Sequence, residues 1–426
     1  MSFIFRLFKS TFLFCLLASA SCKEKEAKHE PVENGNLSIA QESIIENPIV
    51  VGANRMQTYL PLLKDKKVGL VANQTTVVFR HPGSKGSYTH LADTLLASGV
   101  NLVAVFAPEH GFRGTADAGE KISDGKDVKT GLPVVSLYGD NKKPGPGQLK
   151  GLDIMIFDLQ DVGVRFYTYI STLHYLMEAC AENGIELLVL DRPNPNGGIV
   201  DGPILDKAYA SFVGMHPVPV LHGMTIGEYA QMINGEKWLN PSTSSGQVLQ
   251  CNLKVVSCLN YSHDMKYSLP VKPSPNLPND QAINLYAGLC FFEGTNVSVG
   301  RGTGQQFQVY GSPGLPPASF PFLFTPQPNE GAKHPVHEGK TCYGEDLSKS
   351  ESVSRLELKW LIKAYKNTAD KKSFFNSYFV KLAGSPKLQQ QIEAGLSEDE
   401  IRKGWQAGLG AFKKVRANYL IYPAEK

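Results

Sequence analysis

Five short apolar runs recur through the first half of the chain: Lys67–Ala72 (KVGLVA), Asn101–Ala107 (NLVAVFA), Leu132–Leu137 (LPVVSL), Ile154–Phe157 (IMIF) and Ile185–Leu190 (IELLVL). Each is apolar at consecutive positions, not alternating ones, so the strand it predicts is buried on both faces. Segments of helical character lie between several of them, at His90–Ser98 and Thr168–Asn183. Buried strands alternating with helices predict a parallel sheet covered on both sides. Residues 49–215 therefore read as a Rossmann-like α/β domain.

After His216 the rhythm changes. Thr225–Leu239 predicts an amphipathic helix, Val248–Val256 a strand, and Leu285–Phe292 a buried apolar run. Residues 326–351 are rich in Pro, Gly and Lys and read as a long loop. Ser354–Thr368 and Glu398–Val415 predict helices, the second with Ile401, Trp405, Leu409 and Phe412 on one face. Tyr419–Tyr422 predicts a closing strand. Residues 216–426 read as a second α/β domain, so the fold class is α/β in both halves.

The first 22 residues stand apart from this pattern. Arg6 and Lys9 precede a short apolar stretch, Thr11–Ala18, which is too short to span a bilayer and reads as a secretory signal. It ends in Ser19-Ala20-Ser21-Cys22, which resembles a bacterial lipoprotein box with Ser19 where Leu is usual. That resemblance implies lipidation of Cys22, attachment to a membrane through the lipid, and a place in the cell envelope, at the periplasm or outer membrane. The plain alternative is signal cleavage with Cys22 an ordinary thiol. Polar residues 23–48 then read as a flexible tether.

Composition narrows the classes. Of 426 residues, 42% are hydrophobic and 19% charged, which excludes a disordered chain. Lys+Arg 43 against Asp+Glu 40 gives a net charge of +3, which argues against nucleic acid as a partner. Cys15 and Cys22 fall in the leader, and an odd set at irregular spacing remains, which is no disulfide framework. Cys251 and Cys258 lack zinc-ligand spacing, and no HExxH or similar histidine pair occurs, so no metal is expected. GxxxxGK[ST] and strand–GxGxxG–helix units are missing as well, so no phosphate-bearing cofactor is expected. There is also no GxSxG nucleophile elbow.

What remains is carboxylate chemistry. In open parallel sheets, ligands bind beyond the carboxyl ends of the strands. Four predicted strand ends carry polar residues: Asn73-Gln74-Thr75, Pro108-Glu109-His110-Gly111-Phe112-Arg113, Asp158-Leu159-Gln160-Asp161 with Arg165, and Asp191-Arg192-Pro193-Asn194. Glu109 is the candidate general acid; its alternatives are a helix cap or a pair with Arg113. Asp158 and Asp161 are either catalytic carboxylates or structural, with Asp161 and Arg165 as an ion pair. Asp191 reads as the brace of a turn stiffened by Pro193 and Pro195. In the second half, Glu293, Asn296, Arg301 and Thr303 lie in one Gly-rich stretch and could hydrogen-bond a polar ligand. Lys272–Pro278, which contains Asn276, is a stiff loop that could frame a cleft. Together these features suit hydrolysis of a polar substrate.

The stretches Val103–Gly114, Phe157–Tyr169 (FDLQDVGVRFYTY), Asp191–Gly198 (DRPNPNGG), His222–Glu228 (HGMTIGE), Pro273–Pro278 (PSPNLP) and Phe292–Thr303 (FEGTNVSVGRGT) resemble the exo-β-N-acetylmuramidases of the NamZ type, in order, over residues 50–425. The resemblance implies removal of a non-reducing terminal N-acetylmuramic acid from peptidoglycan fragments. It implies two subdomains, one Rossmann-like, with the active-site cleft between them. It places the acid on Glu109 and leaves the partner carboxylate among Glu293, Asp158 and Asp161. The substrate's lactyl carboxylate would suit an arginine fork from Arg113, Arg165 or Arg301. His110, Tyr167, Asn276, Asn296 and Thr303 complete the expected substrate contacts. Retaining, inverting and substrate-assisted routes all stay open. Two other readings are a β-N-acetylglucosaminidase and a non-catalytic muropeptide-binding envelope lipoprotein.

Overall fold

The structure is a computed structural model that describes residues 47–81, 86–109, 111–113, 124–240 and 248–423. The signal, Cys22, nearly all of the tether and His110 lie outside the described residues.

All five apolar runs form strands of one sheet. They are β1 (Val68–Ala72), β2 (Leu102–Ala107), β4 (Pro133–Ser136), β5 (Ile154–Asp158) and β6 (Glu186–Leu190), joined by a short β3 (Gly125–Lys126) and by β7 (Leu253–Val256). The order is β7-β6-β5-β1-β2-β4-β3, with every pair parallel except β3 against β4. The double burial read from the sequence has a simple cause. Val68, Leu70, Ala72, Ile154, Ile156, Leu188 and Leu190 pack on one face, while Val71, Met155, Phe157, Leu187 and Val189 pack on the other. Successive side chains of a strand point to opposite faces, so a strand covered on both sides needs apolar residues at every position.

The sheet does not stop at residue 215, where the domain boundary was expected. Strand β7 pairs in parallel with β6, and the helix Ile226–Gly235 packs on both. Any division of this body therefore falls after Val256. That helix begins with the capping box written in the sequence: Thr225 accepts from the Glu228 N–H and Glu228 accepts from the Thr225 N–H.

Beyond the sheet, the run Leu285–Phe292 belongs to a helix, Asp280–Leu289, and a following 3₁₀ turn, Cys290–Gly294. A small antiparallel sheet follows, with Cys342–Asp346 between Val309–Ser312 and Phe322–Phe324. Its central strand lies within the expected loop 326–351. The helix expected over Glu398–Val415 is two helices, Glu398–Lys403 and Gln406–Arg416, parted at Gly404-Trp405. Tyr419–Tyr422 is not a strand: Glu228 accepts the backbone N–H of Ile421 and Tyr422 instead of a sheet edge. Among the described residues no helix is long and apolar enough to cross a membrane.

Candidate active site

The parallel register aligns the carboxyl ends of β1, β2, β4, β5 and β6 along one rim. Glu109 stands two residues beyond β2. Two hydroxyls converge on its carboxylate: Tyr138 donates to Oε1 at 3.0 Å and Thr168 donates to Oε2 at 2.8 Å. Each donor comes from another strand end. Tyr138 follows β4, while Thr168 follows β5 and is the N-cap residue of the helix Tyr169–Glu182. Burial, with the neighbouring Glu109 carboxylate, pushes the Tyr138 phenol well above its usual range, so it remains a donor.

The second half contributes Glu293 and Arg301. Glu293 lies in the 3₁₀ turn after the helix Asp280–Leu289. Arg301 Nη2 pairs with its Oε1 at 2.6 Å, and the Cys290 thiol faces its Oε2 at 3.3 Å. The loop that carries Arg301 needs its glycines. Gly300 (φ 76°) and Gly302 (φ 79°) are both left-handed, and a side chain at Gly300 would meet the Gln305 carbonyl and Val309. The two halves of the site lie within electrostatic reach of each other. Burial raises the Tyr378 phenol, with contributions from Glu293, Glu109 and Tyr138. Arg301 in turn opposes the rise at Tyr138. Glu109, Tyr138, Thr168, Glu293, Arg301 and Tyr378 thus form one cluster, and both glutamates are half-buried.

Other expected site residues are placed elsewhere or already engaged. Asp158 is fully buried and gripped at both oxygens by Arg192, at 2.6 and 2.8 Å, with Arg192 also donating to the Val77 carbonyl. No substrate could touch it, so it is a structural anion. The Asp161–Arg165 pair does not form. Arg165 is fully buried and donates to the carbonyls of Pro203, Val218 and Leu382, which ties three segments together and removes it as a substrate clamp. Asp161 is buried too. Its Oδ2 accepts from the Gly163 N–H and lies 3.8 Å from His222, while Oδ1 has no partner. Burial pushes its carboxyl up to about 7.

Arg113 does not pair with Glu109 in any contact seen here. Its fork is taken by Asp127, at 3.2 and 2.8 Å, with Asp93 at 3.6 Å, so it is not a vacant clamp either. Tyr167 donates to the Pro273 carbonyl at 2.7 Å, and Gln74 donates to the same stiff loop. Asn276 is buried and donates to Gly331 in the 326–351 segment, with its Oδ1 unpartnered. Asn296 offers its backbone carbonyl to His337 of that same segment, and Thr303 donates to the Gly300 carbonyl, shaping the Arg301 loop. Asp191 accepts from Thr225, Gly227 and Tyr422, so it joins the start of a helix to the end of the chain.

Three members of the cluster escaped sequence reasoning. Tyr138 has a usable signal, since it directly follows the apolar run Leu132–Leu137 at the same rim. Thr168 sits inside the FDLQDVGVRFYTY motif without a charged group to mark it. Tyr378 carries no local signal; only the fold brings it to the rim.

A cavity of about 1120 Å³ is lined by Ile49, Pro195, His263, Met265, Tyr267 and Arg416 among others, and neither glutamate is in its lining. Cavity size does not locate the chemistry here; the convergence of carboxylates, phenols and guanidinium does. Among the described residues no three His, Cys, Asp or Glu side chains gather as metal ligands.

Comparison with known proteins places the chain in a family. The family described as exo-β-N-acetylmuramidase NamZ matches twice, its N-terminal part over residues 68–281 and its C-terminal part over 284–422. Peptidoglycan β-N-acetylmuramidase NamZ of Bacillus subtilis (strain 168) is 38% identical over 390 residues, which cover 85% of this chain and 89% of that protein. The crystal structure of a DUF1343 family protein from Bacteroides fragilis NCTC 9343 superimposes with a TM-score of 0.78 at 43% identity, covering 89% of this chain and all of that one. A second DUF1343 family structure from the same organism gives 0.72 at 28% identity, over 88% and 99%. With both parts matched in order across most of its length, the chain belongs to the NamZ exo-β-N-acetylmuramidase family.

Proposed function

We propose that this chain is an exo-acting glycoside hydrolase that removes β-linked N-acetylmuramic acid from the non-reducing end of peptidoglycan fragments. The observation that carries the reading is Glu109 at the strand-end rim, cradled by Tyr138 and Thr168, with a second carboxylate, Glu293, paired to Arg301 and acting on the same Tyr378 phenol. Family membership and the curated relative support the same activity. The glucosaminidase and binding-protein readings are not favoured.

In this account Glu109 donates its proton to the glycosidic oxygen as the bond to the leaving sugar breaks. A carboxyl that must carry a proton before the reaction and lose it during the reaction is served by hydroxyl partners, which can donate to it in either state. Glu293, one half of an ion pair, is the partner carboxylate. It sits on the other half of the chain, so the substrate would lie between the two. Arg301, shared with Glu293 through one nitrogen, also offers positive charge to the lactyl carboxylate. Glu109→Gln should keep the fold and lose most activity on a β-N-acetylmuramide; a folded, active variant rejects the acid assignment.

The place of action is read from sequence. The Ser19-Ala20-Ser21-Cys22 sequence and the polar residues 23–48 support lipidation at Cys22 and an enzyme held to the envelope membrane by that lipid. Mass spectrometry of the membrane fraction tests this: an unmodified Cys22 thiol in the mature chain contradicts it.

A further inference from the structure

Tyr378 opens the short helix Tyr378–Ala383, and the chain just before it is fastened to the turn that carries Glu293. The Asn376 N–H donates to the Gly294 carbonyl at 2.9 Å, the Asn296 N–H donates to the Phe374 carbonyl at 2.9 Å, and Phe375 bridges Thr295 in antiparallel fashion. The Asn376 side chain then accepts the Tyr378 N–H at 2.8 Å. The approach is close: a Cβ at Gly294 would lie 2.4 Å from the Phe379 Cα. The same helix is tied to the other half of the site. Arg165 donates to the Leu382 carbonyl at 2.8 Å, and Thr168, in the same short segment as Arg165, donates to Glu109.

Three other phenols at the rim are already engaged. Tyr138 donates to Glu109, Tyr167 donates to the Pro273 carbonyl, and Tyr169 accepts from Asn73. No described residue hydrogen-bonds the Tyr378 hydroxyl. Its oxygen is not sealed from solvent either, as the unpartnered oxygen of Asn276 is. Burial, then Cys290, Glu293, Glu109 and Tyr138, hold this phenol above its ordinary range, so it keeps its proton and can donate. A half-buried donor without an acceptor costs free energy, which a bound acceptor recovers.

The terminal sugar offers two distinctive acceptors on neighbouring ring carbons, a neutral acetamide and an anionic lactyl group. A second carboxylate beside Glu293 is repelled unless a guanidinium faces it, so the lactyl group belongs with Arg301. A neutral carbonyl meets no such repulsion. We propose that Tyr378 is a substrate-contacting residue whose hydroxyl donates to the acetamide carbonyl of the terminal sugar, and so recognises the N-acetyl group. The inference rests on the exo-muramidase reading and divides the recognition of that sugar between two residues. Arg301 and Tyr378 both adjoin the Glu293 turn, as two substituents on neighbouring carbons require.

Two measurements on the full-length protein test it. Tyr378→Phe removes the hydroxyl alone. It should lower kcat/KM on a chromogenic β-N-acetylmuramide about tenfold. The melting temperature should stay within about one degree of wild type, because no internal hydrogen bond is lost. In a crystal of the Glu109→Gln protein with the muramyl-N-acetylglucosamine disaccharide, the muramyl acetamide oxygen is expected within hydrogen-bond distance of the Tyr378 hydroxyl. An unchanged kcat/KM in Tyr378→Phe, an activity loss matched by a lowered melt, or an acetamide seated away from the phenol overturns the assignment, while cleavage by the wild type leaves the muramidase reading standing. Failure of the wild type to cleave either substrate overturns both.

Discussion

The Tyr138 phenol donates a 3.0 Å hydrogen bond to Oε1 of Glu109, across the ends of adjacent strands β2 and β4. This bond fixes the carboxylate relative to the sheet. Tyr138→Phe removes the hydroxyl and keeps the ring against Phe212. The expected result is a kcat about tenfold lower, with KM nearly unchanged and a loss of stability of about 1–2 kcal/mol. Steady-state kinetics beside a urea melt checks it.

Glu109→Gln retains the shape of the side chain and cannot donate a carboxyl proton. Activity should fall by about 10²–10⁴-fold, the usual contribution of a general acid. The melting temperature should move by no more than a few degrees. An activity loss matched by a collapsed melt would assign Glu109 to structure instead.

Asp158 should behave in the opposite way. Removing it strands the buried guanidinium of Arg192, so Asp158→Ala should cost about 3–5 kcal/mol in equilibrium unfolding. A change within about 0.5 kcal/mol would show that the pair does not hold the rim together.

Asp161 predicts a pH signature. Burial raises its folded-state pKa to about 7 from an ordinary value of 3.8, so the native state binds its proton more tightly than the unfolded chain does. The native state is therefore favoured when the group is protonated, and that advantage is lost as pH rises from about 4 to about 7. His222 adds no positive charge to compensate. Burial lowers it to about 3, and with the Met224 N–H donating to Nδ1, neutral His222 carries its proton on Nε2, towards Asp161. Asp161→Asn cannot ionise, so its melting temperature relative to wild type should climb between pH 4 and pH 8. A constant difference across that range contradicts the assignment.

The strands were legible because double burial writes itself as unbroken apolar runs, and the place of Glu109 at the rim was legible because it follows such a run directly. The roles of Asp158 and Arg165 were not legible. A polar motif reads alike whether its charges face substrate or seal a rim, and the partners that settle it, Arg192, Pro203 and Leu382, lie 34, 38 and 217 residues away. The boundary at 215 failed for a related reason. Strand β7 returns to the sheet after a long excursion, and nothing in its four residues, LKVV, names its partner. Tyr378 shows the limit most plainly, since an uncharged phenol far along the chain acquires meaning only beside Glu109 and Glu293.

The central claim is the identity of the sugar released. The protein, expressed from residue 23 onward, would be incubated separately with a chromogenic β-N-acetylmuramide and the matching β-N-acetylglucosaminide. Release from the muramide alone, abolished in Glu109→Gln, is the predicted result. Release from the glucosaminide alone, or from neither glycoside and not from the muramyl-N-acetylglucosamine disaccharide, would contradict it.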